Sequence, residues 1–316
     1  MAIPERYAAA PIAFVRWRTV RATYRAYLNR TNHSSSQAFN NRRLMPRRLN
    51  QNPRPAVYAG RGRKIHSEPL ADRGNPMRIY DTRLEDHRAI AEGTMAFDLA
   101  KPSGFIFKPG QAIDVVLINP PGPEAESTRH TFSIVSAPFE ERLTVATRMR
   151  DSAFKRTLKS LAIGAPIIFE GPSGSLTLHN NRSRPAVMIA GGIGITPFIS
   201  ILRQAAHDQL PQQLLLLYSN HRPEDAPFLA ELQDLEEQNQ RFRLLATMTR
   251  MSQSSQSWAG RRGPIDEALV HQVGDELVAP IYYLAGPPAM VDSLRQTLNQ
   301  AGIDDDDIRS EEFYGY

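Results

Sequence analysis

The stretch Ala186-Val-Met-Ile-Ala-Gly-Gly-Ile-Gly-Ile-Thr-Pro-Phe-Ile-Ser-Ile-Leu202 decides the fold. It opens with an apolar run of buried-strand length, breaks at Gly191, Gly192 and Gly194, and resumes with Phe198, Ile201 and Leu202 at helical spacing. The reading is strand, tight turn, helix. Thr196 is expected as the N-cap and Pro197 as the first helical residue, where a missing N–H costs nothing. Gly192 and Gly194 leave no Cβ over the turn, so a diphosphate could approach the backbone N–H groups at the positive end of the helix. A tight turn within any α/β sheet fits the glycines equally well, and the Gly-x-Gly-x-x-Gly fingerprint fails because its third position is Pro197.

Outward from this stretch, strands and helices alternate from Pro185 to the end. Residues 186–190, 213–218, 243–248 and 281–285 are apolar runs of parallel-strand type, separated by helical stretches at 197–209, 227–238 and 288–301. They predict a doubly wound parallel α/β domain over residues 181–316, with ligands at the carboxyl ends of its strands. Upstream, residues 78–87, 89–99, 112–118, 130–136, 142–150 and 166–170 read as six short strands bounded by Gly- and Pro-rich turns. They predict a small antiparallel barrel over 76–180, with one helix at 152–161. A barrel followed by such a sheet offers a crevice where two cofactors could meet.

The 316 residues carry a formal net charge of +5, but residues 1–75 carry +12 and the remainder −7. Those first 75 residues are rich in Arg, Asn, Ser and Pro and lack sustained apolar periodicity, so a disordered basic arm is expected. A transit peptide, a polyanion-binding tail, a membrane-surface helix over 7–27 and residues upstream of a start at Met77 compete for this arm. The last is preferred, because Met77 begins the first clear strand. The chain has no cysteine, which excludes disulfides, thiolate-held iron–sulfur clusters and thiol catalysis within it. Its eight histidines show no ligand spacing, and no metal is expected. No apolar run approaches the roughly eighteen residues of a membrane span, so a soluble, cytoplasmic chain is expected.

Three strand ends in the second half carry groups suited to a nucleotide, the first being the glycine turn. The second is Tyr218-Ser-Asn-His-Arg222, where Ser219 and Arg222 could hold a ribose 2′-phosphate and so favour NADPH, or simply begin a loop. The third, Ala285-Gly-Pro-Pro-Ala-Met290, leaves room for a flat ring against the backbone. In the barrel, Arg129-His-Thr-Phe-Ser133 sets a cation, an aromatic and a hydroxyl on one strand. His130 and Phe132 share a face, and Ser133 takes the other unless the strand is bulged. Ser152 is expected to cap the next helix, whose start, with Arg148 and Arg150 nearby, makes a second anion site. As a bare pattern this could equally be a solvated basic edge.

Together these residues resemble the ferredoxin–NADP reductase family of flavoenzymes, an FAD-binding barrel followed by a nicotinamide dinucleotide domain. The resemblance runs from Met77 to Tyr316 and rests on four motifs in family order: the Arg-x-Tyr/Phe-Ser/Thr flavin strand, the helix-start phosphate site, the Gly-Gly-Ile-Gly-Ile-Thr-Pro turn and Gly-Pro-Pro-x-Met. It implies that Phe132 packs on the isoalloxazine, that Ser133 hydrogen-bonds near flavin N5, and that Ser152 with the backbone of Ala153 and Phe154 holds the FAD diphosphate. It also implies that Gly192, Gly194, Thr196 and Pro197 line the NAD(P)H diphosphate and that Ala285, Gly286 and Pro287 border the nicotinamide.

The chain departs from the family pattern in three places. The arginine two residues before the aromatic is His130 here, so either a bulge returns Arg129 to the flavin phosphate or His130 takes over. Ala285 stands where many members have a cysteine, which is expected to slow hydride transfer without abolishing it. The terminal acid and flavin-covering aromatic map onto Glu311 and Phe313, with Tyr316 as a rival.

The function implied is a flavin-dependent oxidoreductase that takes hydride from NAD(P)H, with Ser133 and Glu311 as catalytic candidates, by positioning rather than by acid–base chemistry. Electrons would pass to a separate acceptor: a ferredoxin, an oxygenase component or a ferric chelate. The alternative is a non-catalytic flavin- or dinucleotide-binding sensor or electron-transfer subunit of a larger complex. Nucleic-acid binding is not expected.

Overall fold

A computed structural model describes residues 78–117 and 129–314. The basic arm, Ile118 and Tyr316 lie outside these described residues. The first six strands are β1 (Arg78–Ala91), β2 (Thr94–Ala100), β3 (Ala112–Val116), β4 (Arg129–Ser133), β5 (Arg142–Arg148) and β6 (Pro166–Ser173). They pair antiparallel in the order β4-β3-β6-β1-β2-β5. β1 turns a corner: its first half pairs with β6 and its second with β2. A bridge between Ile134 and Val145, with Val135 N–H donating to the Thr144 carbonyl at 2.8 Å, joins β4 to β5 and closes the barrel.

The turn between β1 and β2 falls at Glu92-Gly93 rather than near Arg88. Gly93, with φ 65°, supplies the left-handed conformation such a turn needs, and Arg88 does not. Alternating residues such as Leu84, Phe97, Ile113, Val145 and Phe169 fill the interior. Helix α1 (Ala153–Ser160) contributes Phe154 and Leu158 to the same core.

The second sheet is all parallel: β7 (Ala186–Gly191), β8 (Leu214–Asn220), β9 (Phe242–Met248), β10 (Arg261–Arg262), β11 (Ile281–Gly286) and β12 (Ile308–Glu312), in the order β10-β9-β8-β7-β11-β12. Helices α2 (Thr196–His207) and α3 (Leu229–Gln238) pack on one face. Helices α4 (Glu267–Asp275) and α5 (Pro288–Gln300) cover the other. Strand order reverses between β7 and β11, and that switch point opens a crevice at the carboxyl ends. β12, Ile-Arg-Ser-Glu-Glu, is polar enough that its sequence does not announce a strand; pairing with β11 makes it one. Among the described residues no helix is long and apolar enough to cross a membrane.

Helix α2 is the seam between barrel and sheet. Ser200 Oγ donates to the Ser136 carbonyl at 2.7 Å, and Arg203 bridges Glu140 (3.2 Å) and Glu231 (2.6 Å). Val135 and Ala146 of the barrel share a core with Phe198 and Ile201. The entry to α2 corrects the expected cap. Gly192–Ile195 form a 3-10 turn, so the extended residue before the helical region is Gly191. Thr196 is the first residue of α2 and Pro197 the second, and the Thr196 hydroxyl donates back to the Ile193 carbonyl at 3.0 Å. Helix α3 starts two residues later than its apolar pattern suggests, because Phe228 holds a left-handed conformation with φ 62°.

Candidate functional site

The crevice between barrel and sheet is lined by six of the expected residues, His130, Phe132, Ser133, Arg148, Thr196 and Phe313. Thr131, Ala146, Thr147, Lys155, Ile193 and Tyr314 line it too, and sequence reasoning missed them. A signal for Lys155 was present: it occupies the first turn of α1, which holds no acid, so the helix dipole opposes its charge.

β4 pairs with β3 in unbroken register from Arg129 to Ser133, so no bulge occurs there. Alternation then carries Arg129 away from the face of His130 and Phe132. Arg129 binds Asp114 and lies 2.8 Å from Glu170, so the option of returning it to a flavin phosphate is corrected. His130 stacks on Phe132 with centroids 5.5 Å apart and approaches Phe154 at 5.0 Å. Burial and the neighbouring Lys155 charge hold the imidazole pKa below its ordinary value, which disfavours the cation a replacement for the arginine would need.

Ser133 is 3% exposed, and its Oγ has no hydrogen-bond partner among the described residues. With no bulge, Ser133 shares the face of Arg129 and Thr131 rather than that of Phe132, and the Phe132 ring, 6% exposed, packs in the barrel core, which corrects the expectation of an open aromatic face. A buried hydroxyl without a partner is uncommon, and in a crevice it suits a polar ligand. Ser152 caps α1 as expected, its Oγ accepting from Lys155 N–H at 3.2 Å. Helix geometry leaves the N–H groups of Ala153 and Phe154 without intrahelical carbonyls. Phe154 offers only its backbone, because its ring is core. Arg150 is exposed, and Arg148 lies 3.9 Å from Asp225. The unpartnered hydroxyl and the helix start together fit an FAD.

The glycine turn carries a second correction. A Cβ on Gly194 would lie 2.2 Å from the Ala285 carbonyl oxygen, so the space it leaves is filled by the chain's own backbone. Gly194 thus serves the junction of β7 with β11 rather than the approach of a diphosphate. Met290 folds back so that its Sδ and Cε occupy the side-chain space of Gly191 and Gly286, giving the Gly-Pro-Pro-x-Met motif a packing role. Gly192, with φ 52°, makes the turn itself.

At the end of β8, Ser219 is half-buried, and Arg222 is enclosed by acids. Its Nε and Nη2 donate to both oxygens of Asp225 at 2.8 Å, Nη2 reaches Glu92 at 3.0 Å, and Nη1 lies 3.5 Å from Glu224. Arg222 is therefore not free in this fold, and the expected bias toward NADPH draws no support from it. At the chain's end, Phe313 N–H donates to the Gly286 carbonyl at 2.9 Å, seating its ring in the crevice beside Tyr314. Glu311 pairs in register with Ala285. Its Oε2 is buried without a partner among the described residues, and burial pushes its carboxyl up to about 7. Tyr316, the rival aromatic, lies outside the described residues.

The sequence model of the oxidoreductase NAD-binding domain matches residues 188–296. Ferredoxin–NADP reductase B of Sorangium cellulosum is 30% identical over 210 residues, 64% of this chain and 83% of that protein. The glycine betaine monooxygenase reductase subunit of Chromohalobacter salexigens is 26% identical over 224 residues, 70% of this chain and 60% of that subunit. The chain thus spans less than two thirds of the latter's length. A solved ferredoxin NADP+ reductase from Neisseria gonorrhoeae with bound FAD and NADP shares the fold, with a TM-score of 0.62 and 22% identity over 74% of this chain and 98% of that one.

Proposed function

We propose that this chain, which belongs to the ferredoxin–NADP reductase family, binds FAD in the crevice, takes hydride from a nicotinamide nucleotide and hands electrons to a separate acceptor. The observation that carries the reading is the buried Ser133 hydroxyl, unpartnered among the described residues, in a crevice also lined by Ile193 and Thr196 of the glycine turn. FAD, when bound, supplies a hydride acceptor that can release electrons singly. The chain's own part is positioning. Ser133 offers the ring a hydrogen bond, while the N–H groups of Ala153 and Phe154 receive the diphosphate. Ala285, Gly286 and Pro287 border the nicotinamide across from them, and Phe313 and Tyr314 keep water from the outer edge. Glu311 holds or releases a proton at Oε2.

The nucleotide is expected to be NADH. A 2′-phosphate at Arg222 would have to displace Asp225, Glu92 and Glu224 and would leave those acids facing a dianion. The acceptor is a ferredoxin or an oxygenase component, a reading supported by the reductase components among the relatives and by the absence of cysteine from these 316 residues. Cytoplasm, where the nicotinamide nucleotides are, is the expected location. The test is a visible spectrum of the purified protein and its response to NADH or NADPH without oxygen. Flavin bands that bleach faster with NADH are expected. A protein that stays colourless after incubation with FAD overturns the reading.

A further inference from the structure

The third residue of helix α1 is a lysine with no counter-charge among the described residues. Lys155 is 6% exposed and lines the crevice. Its Nζ donates to the Arg148 carbonyl at 2.8 Å, and among the described residues no carboxylate forms an ion pair with it. Among the cations nearby, Arg129 pairs with Glu170, Arg148 with Asp225 and Arg156 with Asp151, while Arg150 is exposed to solvent. A buried ammonium without an anion is strongly unfavourable, and here the helix dipole adds to the cost. Burial and the Arg150 charge accordingly lower its pKa. His130 on the neighbouring strand lies against Phe154 of the same helix turn, and an arginine in its place would set two cations side by side.

We propose that Lys155 holds the diphosphate of the bound FAD, as the cation that replaces the arginine whose place on β4 is taken by His130. The inference rests on the FAD reading above. The charge has moved from the strand to the first turn of the helix whose N–H groups face the same anion, so one diphosphate relieves both the ammonium and the orphan donors.

The test is FAD binding to the flavin-free protein, followed by quenching of flavin fluorescence, with riboflavin as the probe that lacks phosphate. Lys155→Met is expected to raise the FAD dissociation constant by about 10- to 100-fold. It should leave riboflavin affinity within about twofold, flatten the salt dependence of FAD binding, and leave the melting point of the flavin-free protein unchanged or higher. Lys155→Arg should keep FAD affinity within several-fold of the wild type. Equal FAD affinity in Lys155→Met and wild type overturns the assignment, as does parallel loss of FAD and riboflavin. If Lys155→Met does not fold, amine acylation of the wild type decides: FAD but not riboflavin must protect Lys155, and equal labelling overturns the role. A wild type that binds no FAD overturns the functional reading itself, before any variant is compared.

Discussion

At the end of β8, Arg222 is enclosed by three carboxylates, whereas on the crevice wall Lys155 is buried with none among the described residues. The same wall carries Ser133 Oγ, and β12 carries Glu311 Oε2, each buried without a partner. One region satisfies its own charges and gains stiffness: Glu92, at the tip of the β1–β2 hairpin, meets the loop after β8 through Arg222 and through a backbone bond to Glu224 at 2.8 Å. The other withholds partners and so carries a standing cost that a ligand relieves. The difference teaches that a basic residue at a strand end marks an anion site only when the fold denies it an acid.

The largest expected effect sharpens the unpartnered side. Glu311 has a carboxyl raised to about 7 in the fold against an ordinary 4.5. Between those values the folded state binds more protons than the unfolded state, so stability falls as pH rises from 4.5 to 7 and stays lowered above. Glu311→Gln should therefore stabilise the flavin-free protein at pH 8, by at most about 3 kcal/mol, and change little at pH 4. Urea unfolding at the two pH values checks this, and an equal gain at both would show that the carboxylate is not the source.

Next comes the attempt to make the self-satisfied side resemble the other. Asp225→Asn with Glu92→Gln and Glu224→Gln should release Arg222 and raise kcat/KM for NADPH relative to NADH by about 10- to 100-fold. A wild type that already prefers NADPH in steady-state assays would break the comparison. Smaller still, Ser133→Ala should slow flavin reduction about tenfold in stopped flow without loss of stability, because the hydroxyl it removes has no partner in the flavin-free fold. The smallest effect belongs to Arg129→Ala, expected to leave FAD affinity within about twofold, since Asp114 and Glu170 already engage that guanidinium on the barrel's outer face. A tenfold loss in that titration would show that Arg129, not Lys155, faces the diphosphate.

Much of the site was legible in the chain. The apolar run at β7 and its three glycines announce a strand passing into a helix, and alternation along Arg129–Ser133 puts His130 and Phe132 on one face. Less legible were the residues whose role depends on distant partners. Glu92 and Arg222 are 130 positions apart, and nothing local to either foretells their contact. Gly194 was read as room for a ligand, but the Ala285 carbonyl that fills that room comes from another strand. β12 was missed because its side chains are polar and only the hydrogen bonds to β11 make it extended.

By itself the sequence determined the two-part architecture and the order of the motifs, because hydrophobic period and turn chemistry act over a few residues. Tertiary structure alone decided which charges are available. Whether Arg129, Arg222 or Lys155 can receive an anion depends on where Asp114, Asp225 and their neighbours arrive once the sheets have formed, and electrostatic energy is set by distance in space, not along the chain.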